Sequence, residues 1–141
     1  MEPAGFFRRI FALMYDTLFV MAIVISLSLL LNVVNGGYLE PGTVLSKLQL
    51  TMSILSGPLF YCYFWMKNDG QTLGMQAWKI KLVTCEGKPL DFKTSATRCL
   101  LSSISFLLIG LGYFWIIGDP KKRSWSDIYT NTKILKIKKL A

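Results

Sequence analysis

The sequence predicts an all-α membrane protein: two spanning helices, a third apolar segment that either crosses once or re-enters, and a small cytoplasmic β-hairpin or sheet. Three observations predict it. Of 141 residues, 52% are hydrophobic and only 17% are charged. Long apolar runs occupy residues 10–34 (broken only by Asp16), 48–66 and 100–117. Short β-branched stretches that alternate apolar and basic residues lie at 78–83 and 132–138. The length suits a single domain, residues 1–141.

The first two runs are each long enough to cross a bilayer, since about 20 helical residues span about 30 Å. Arg8 and Arg9 precede the first run, as basic residues precede a secretory signal. The run is too long for one, and "NVVNGGYLEPG" offers no small-residue cleavage site, so a permanent span is expected. The loop at 35–47 holds only Glu40 and Lys47 as charges, with Gly36, Gly37 and Pro41 as turn residues.

Charge placement sets the expected topology. The loop at 67–98 carries six basic residues against three acids, and the tail from Gly118 carries seven against two. Basic segments stay cytoplasmic, which puts the N-terminus inside, the first loop outside and the second inside. The basic tail then conflicts with a single crossing by residues 100–117. A re-entrant turn resolves the conflict and is favoured: Gly110 and Gly112 sit where a helix is weakest. Two arms of about ten residues, each about 15 Å, could enter and return if protein shields the turn. "WKIKLV" at 78–83 reads as a half-buried strand, "EGKPLDF" as a turn into a second short strand, and "TKILKIK" at 132–138 as a further one. They can share a cytoplasmic sheet only if the tail returns.

Asp16 is the residue that needs a reason. Arg9 lies seven residues earlier on the same face, but about 10 Å away along the axis. Helical side chains lean toward the N-terminus, so Arg9 leans away from Asp16 and is expected to snorkel. Asp16 either marks the membrane edge or lies within the apolar zone facing protein, where a carboxylate costs about 2.5–3.5 kcal/mol on insertion scales and is usually partnered. Arg98, which opens the third apolar run, is the partner expected for it.

Several function classes recede. The chain has no histidine, hence no imidazole base, proton shuttle or metal ligand. Cys62, Cys85 and Cys99 lack metal or redox spacing and read as reduced structural thiols. No nucleophile–base pair, metal set or cofactor loop is visible, so an enzyme is not expected and neither is a cofactor. Gly70-Gln71-Thr72-Leu73-Gly74 lacks the Gly-Lys-Ser/Thr ending of a phosphate loop. It reads as a turn in which glycines supply positive φ and Thr72 caps the backbone. Aromatic residues at 61–65 and 113–115 fit interfacial belts. The net charge of +8 and the basic tail suit anionic headgroups, at roughly 1 kcal/mol per residue, rather than nucleic acid. Asp127 reads either as a turn residue or as a carboxylate docked against Arg9, Arg98 or Arg123.

Three features taken together carry a resemblance. Arg9-x-x-Ala12-x-x-x-Asp16 opens the first helix, Gly70-x-Thr72-x-Gly74 precedes a strand, and "KKRSWSDIYTNTKIL" places Asp127 and then Thr132 before a last strand. From Gly5 to Ile137 the chain resembles the RDD family of small membrane proteins, named for an arginine and two aspartates. Arg9, Asp16 and Asp127 would be those three. Met75 stands where members commonly have a basic residue, and Ser126 where a histidine is frequent. The resemblance implies a bacterial-type inner-membrane protein, with cation or proton transport carried over by analogy alone.

Three apolar segments enclose little volume, so transport would require a homo-oligomer or a partner membrane protein. In that reading Asp16 and Asp127 bind a cation or proton while Arg9 and Arg98 set their charge. In the alternative, an accessory, scaffold or sensor role, the same four residues form a structural clasp. Gly70, Thr72, Gly74 and Thr132 are expected to shape structural turns.

Overall fold

A computed structural model describes residues 2–88, 90–108 and 111–137, except for the side chains of Phe106 and Tyr113. Helix α1 spans Phe6–Val34 and α2 spans Val44–Lys67. The short α3 (Leu73–Ala77) leads into β1 (Ile80–Thr84). Then follow α4 (Phe92–Leu107), α5 (Leu111–Gly118), α6 (Trp125–Tyr129) and β2 (Thr132–Lys136). The chain is thus mostly helical with one small sheet.

Side-chain caps start four of the helices. Thr43, Thr72, Asp91 and Ser124 accept from the backbone N–H groups of Ser46, Met75, Thr94 and Asp127, satisfying donors that a helix start leaves without partners.

β1 and β2 pair antiparallel, with Ile80 opposite Lys136 and Thr84 opposite Thr132. Residues 2–4 extend this sheet on the far side of β2. Ala4 N–H donates to the Ile134 carbonyl and Lys136 N–H to the Glu2 carbonyl, both at 2.8 Å, and Pro3 bridges Leu135. The N-terminus, the loop after α2 and the tail therefore meet in one platform of residues 2–4, α3, the sheet and α6. The alternating "TKILKIK" forms a strand as the pattern predicts, up to Lys136; Lys138 lies outside the described residues.

The core sits at the platform end. Its buried members include Ala4, Ala12, Cys62, Trp65, Met75, Ile80, Leu82 and Cys99. Within α1 the buried residues are Arg9, Ala12 and Asp16, all in its first half. Beyond them Leu18, Met21, Ile25, Leu29 and Val33 are exposed. Among the described residues α1 is the one helix both long and apolar enough to cross a membrane. The 24-residue α2 has the length, but Lys47, Gln49 and several hydroxyls dilute its apolar character.

Two expectations require correction. "EGKPLDF" does not lead into a second strand: Asp91 caps α4, which begins at Phe92, and the partner of β1 is β2. The strand expected at 78–83 is Ile80–Thr84, because Trp78 closes α3. The apolar run at 100–117 divides, as a segment of two arms requires, into the end of α4 and the whole of α5. Gly110 lies outside the described residues, while Gly112 lies within α5. A Cβ on Gly112 would stand 1.8 Å from Ser105 Oγ, so its smallness serves the packing of α5 on α4.

Candidate functional site

Two clusters of buried polar groups join the helices to the platform, and α1 contributes to both. The first centres on Asp127. Residues Ser124 to Asp127 form a capping box: Asp127 N–H donates to Ser124 Oγ, and Ser124 N–H donates to Asp127 Oδ2 at 3.1 Å. This fixes the carboxylate against α6. Arg9 Nη1 donates to Oδ2, and Arg98 Nη1 donates to Oδ1 at 2.6 Å. All three side chains are almost wholly inaccessible.

Each arginine is fixed by further acceptors. Arg9 Nε donates to the Ala4 carbonyl at 3.2 Å and Nη2 to the Lys122 carbonyl at 2.6 Å. Pairing of residues 2–4 with β2 holds Ala4 in place. Lys122 presents its carbonyl from a left-handed conformation (φ 51°), sparsely populated for a side chain of this size. Arg98 Nη1 also donates to Thr132 Oγ1, which lies 2.9 Å from Thr130 Oγ1. The Arg98 guanidinium lies 5.3 Å from the Trp65 ring centroid, within cation–π range. Burial pushes the Asp127 carboxyl upward, but the Arg98 and Arg9 guanidiniums outweigh it and hold the group below its ordinary value.

The second cluster centres on Asp16. Thr72 Oγ1 donates to its Oδ2 at 2.6 Å, and Gly74 N–H donates to its Oδ1 at 2.8 Å. Asp16 is 1% exposed, so it faces protein rather than marking an exposed edge. The glycines explain how the loop comes so close. A Cβ on Gly74 would stand 2.1 Å from the Ala12 carbonyl oxygen, and one on Gly70 2.0 Å from that of Leu82. Gly74 lets α3 abut the α1 backbone. Gly70, at φ +74°, does the same against β1, where Leu82 N–H donates to its carbonyl.

The structure thus brings Arg9, Arg98, Asp127 and Thr132 together, and sets Asp16 with Thr72 and Gly74. Arg98 is not the partner of Asp16, as the sequence suggested; it reaches Asp127 and Thr132 instead. Arg9 does not snorkel. Thr132 opens β2 rather than shaping a turn. Arg123 binds Asp119, not Asp127. Ser124 also carries a signal in the sequence, since Ser-x-x-Asp before an apolar pair is a capping signature. Ala4, Lys122 and Trp65 left no such trace, because two act through backbone carbonyls and one through a ring face. Among the described residues no group of three or more Cys, Asp or Glu could hold a metal ion.

A long apolar helix docked on a small platform by buried arginine–aspartate contacts defines a class of compact helical proteins with membrane character. The family model for the RDD family matches residues 3–131, and the chain belongs to that family, which is membrane-associated. No curated protein and no solved structure matches the chain.

Proposed function

We propose that this chain is a multi-pass protein of a bacterial-type inner membrane, in which the arginine–aspartate set is a structural clasp and the role is that of an accessory or scaffold subunit. One observation carries the reading: every oxygen of Asp16 and Asp127 already accepts from a protein donor in a buried setting. A transport site must exchange its ligands with water or cargo. These carboxylates instead tie α1 to α3 and α6.

The sheet supports a cytoplasmic location for both termini. Residues 2–4 and β2 are neighbours, so the tail lies on the same side as the start of α1. The 24-residue α2 brings the chain back toward that side. Helices α4 and α5, about 24 Å and 12 Å long, form the two arms of a returning segment. Anionic headgroups then meet the basic platform, and a second copy or a partner membrane protein covers the outer helix faces. A topology reporter fused after Ala141 tests this; a periplasmic signal would overturn the returning tail.

A specific observation keeps proton or cation transport as a second reading. Asp16 is held by a hydroxyl and an amide, so unlike Asp127 it can take up a proton without breaking an ion pair. Purified protein in sealed vesicles decides between the two. The clasp reading expects no ion flux from wild type and a loss of thermal stability in Asp16→Asn. Wild-type flux that Asp16→Asn abolishes, at unchanged assembly, would replace it with transport.

A further inference from the structure

The first half of α1 carries two stripes. Arg9, Ala12 and Asp16 face the platform and are buried. Beside them Arg8, Phe11, Tyr15 and Leu18, three or four residues apart, form a second stripe, and all four are exposed. The residue that closes α3 folds over this stripe. The Trp78 ring stacks on Phe11, with centroids 4.8 Å apart, and meets Tyr15 edge-on at 6.4 Å. The Trp78 carbonyl accepts from Arg8 Nη1 at 3.1 Å.

That last contact sets two cations side by side. The Trp78 carbonyl belongs to the peptide that leads into Lys79, so Arg8 Nη1 lies within roughly 6 Å of the Lys79 Cα. The Lys79 backbone is fixed: its N–H donates to the Gln76 carbonyl at 3.1 Å, and its carbonyl accepts from Ile137 N–H at 2.9 Å. Both side chains are exposed, and among the described residues neither pairs with a carboxylate. Arg8 makes one hydrogen bond among the described residues, which leaves most of its five N–H donors for a ligand. Two pinned like charges repel unless an anion sits between them.

The stripe is also ordered by depth. From Arg8 to Leu18 it rises about 15 Å along α1, with cations first, aromatic rings next and an aliphatic side chain last. A bilayer presents the matching sequence of phosphate, interface and hydrocarbon. We propose that Arg8 and Lys79 bind the phosphate of an anionic phospholipid, whose acyl chain runs along the stripe past Trp78, Tyr15 and Leu18. The guanidinium fork matches phosphate geometry, and the ammonium adds a point charge on a flexible stem. The proposal rests on the membrane reading above and adds a fixed site to the diffuse attraction of the basic platform.

The full chain, extracted in mild detergent, is titrated with dioleoyl phosphatidylglycerol and separately with dioleoyl phosphatidylcholine, and examined by native mass spectrometry. Wild type is expected to bind the first phosphatidylglycerol several-fold tighter than phosphatidylcholine. Arg8→Gln and Lys79→Asn should each weaken phosphatidylglycerol binding about fivefold, as loss of one basic residue at a membrane surface implies. Asparagine suits the left-handed backbone of Lys79, at φ 52°, so its melting temperature should hold. Should Arg8→Gln fail to fold, Lys79→Asn alone decides. Lys93→Gln, which removes an exposed cation at the start of α4, should leave binding unchanged. An equal loss in Lys93→Gln means diffuse attraction and overturns the site, as does phosphatidylglycerol binding that Lys79→Asn leaves intact. Displacement of the lipid by millimolar inorganic phosphate makes this a free-phosphate site and overturns the lipid assignment. A chain that integrates into membranes yet shows no preference between the two lipids refutes this inference alone. A chain that does not integrate refutes the membrane reading itself.

Discussion

Asp127→Asn is the sharpest perturbation of the clasp. Asparagine keeps the shape and one oxygen, so Ser124 and one guanidinium retain an acceptor. Its amide N–H₂ then faces the other guanidinium, and two buried cations lose their shared negative charge. Removing one member of a buried ion cluster costs about 3–5 kcal/mol. For a chain of this size that is roughly 10–20 °C in Tm.

The assay is thermal unfolding of the purified protein in detergent, followed by circular dichroism. Asp127→Asn/Arg98→Met should recover part of the loss, because it removes the uncompensated cation, whereas a packing defect would only deepen. The pH dependence carries a sign. The folded carboxyl titrates below its ordinary value of 3.8. Its contribution is therefore fully present above that value and falls away as pH drops through the lower, folded value. Wild type should lose this increment below about pH 4, and Asp127→Asn should lack that acid-side step. An Asn variant within about 1 kcal/mol of wild type, or an unchanged acid profile, would refute the ion-cluster account.

Other substitutions separate backbone approach from side-chain chemistry. Gly74→Ala drives a Cβ into the Ala12 carbonyl and should cost several kcal/mol or abolish folding. Gly57→Ala, in open space within α2, should stabilise by about 0.5–1 kcal/mol, read from the same melts. Thr72→Val removes both the donor to Asp16 and the cap of α3, and should cost roughly 2–4 kcal/mol while conserving volume. A hydrophilic maleimide should modify exposed Cys85 at once, and reach buried Cys62 and Cys99 only after denaturation; rapid labelling of all three thiols would contradict the packing of α2 on α4.

The parts of the fold legible in the sequence were those with a period or a punctuation mark. Residues 132–136 alternate, and they form β2. Gly70 and Gly74 flank a threonine, and both prove necessary for close backbone approach. The apolar length of α1 was equally plain. The fold departs from the sequence pattern where two signals compete. "EGKPLDF" reads as a turn into a second short strand, yet Asp91 three residues before Thr94 is a helix start, and the cap wins. The run at 100–117 is continuous in hydrophobicity, but the two glycines near its middle signal a division, and α4 and α5 are its two pieces. The partner of Asp16 is hidden for a different reason. A charge in an apolar run suggests an opposite charge, but a carboxylate is equally served by a hydroxyl and a backbone amide. Nothing in a linear sequence distinguishes the two.

The seven-residue spacing of Arg9 and Asp16 now has a mechanical meaning. Two turns of α1 bring both side chains to one face, but they do not bind each other. Arg9 grips α6 through Asp127, and Asp16 grips the start of α3 through Thr72 and Gly74. One helix face thus holds two separate parts of the platform about 10 Å apart along its axis. A rotation or axial slide of α1 would have to break both grips together, because both side chains are fixed to one rigid helix. The motif is a two-point attachment that sets how α1 emerges from the platform. A partner that moved α1 would be sensed at β2 as well, since Arg98 joins Asp127 to Thr132 in the strand that pairs with the N-terminus.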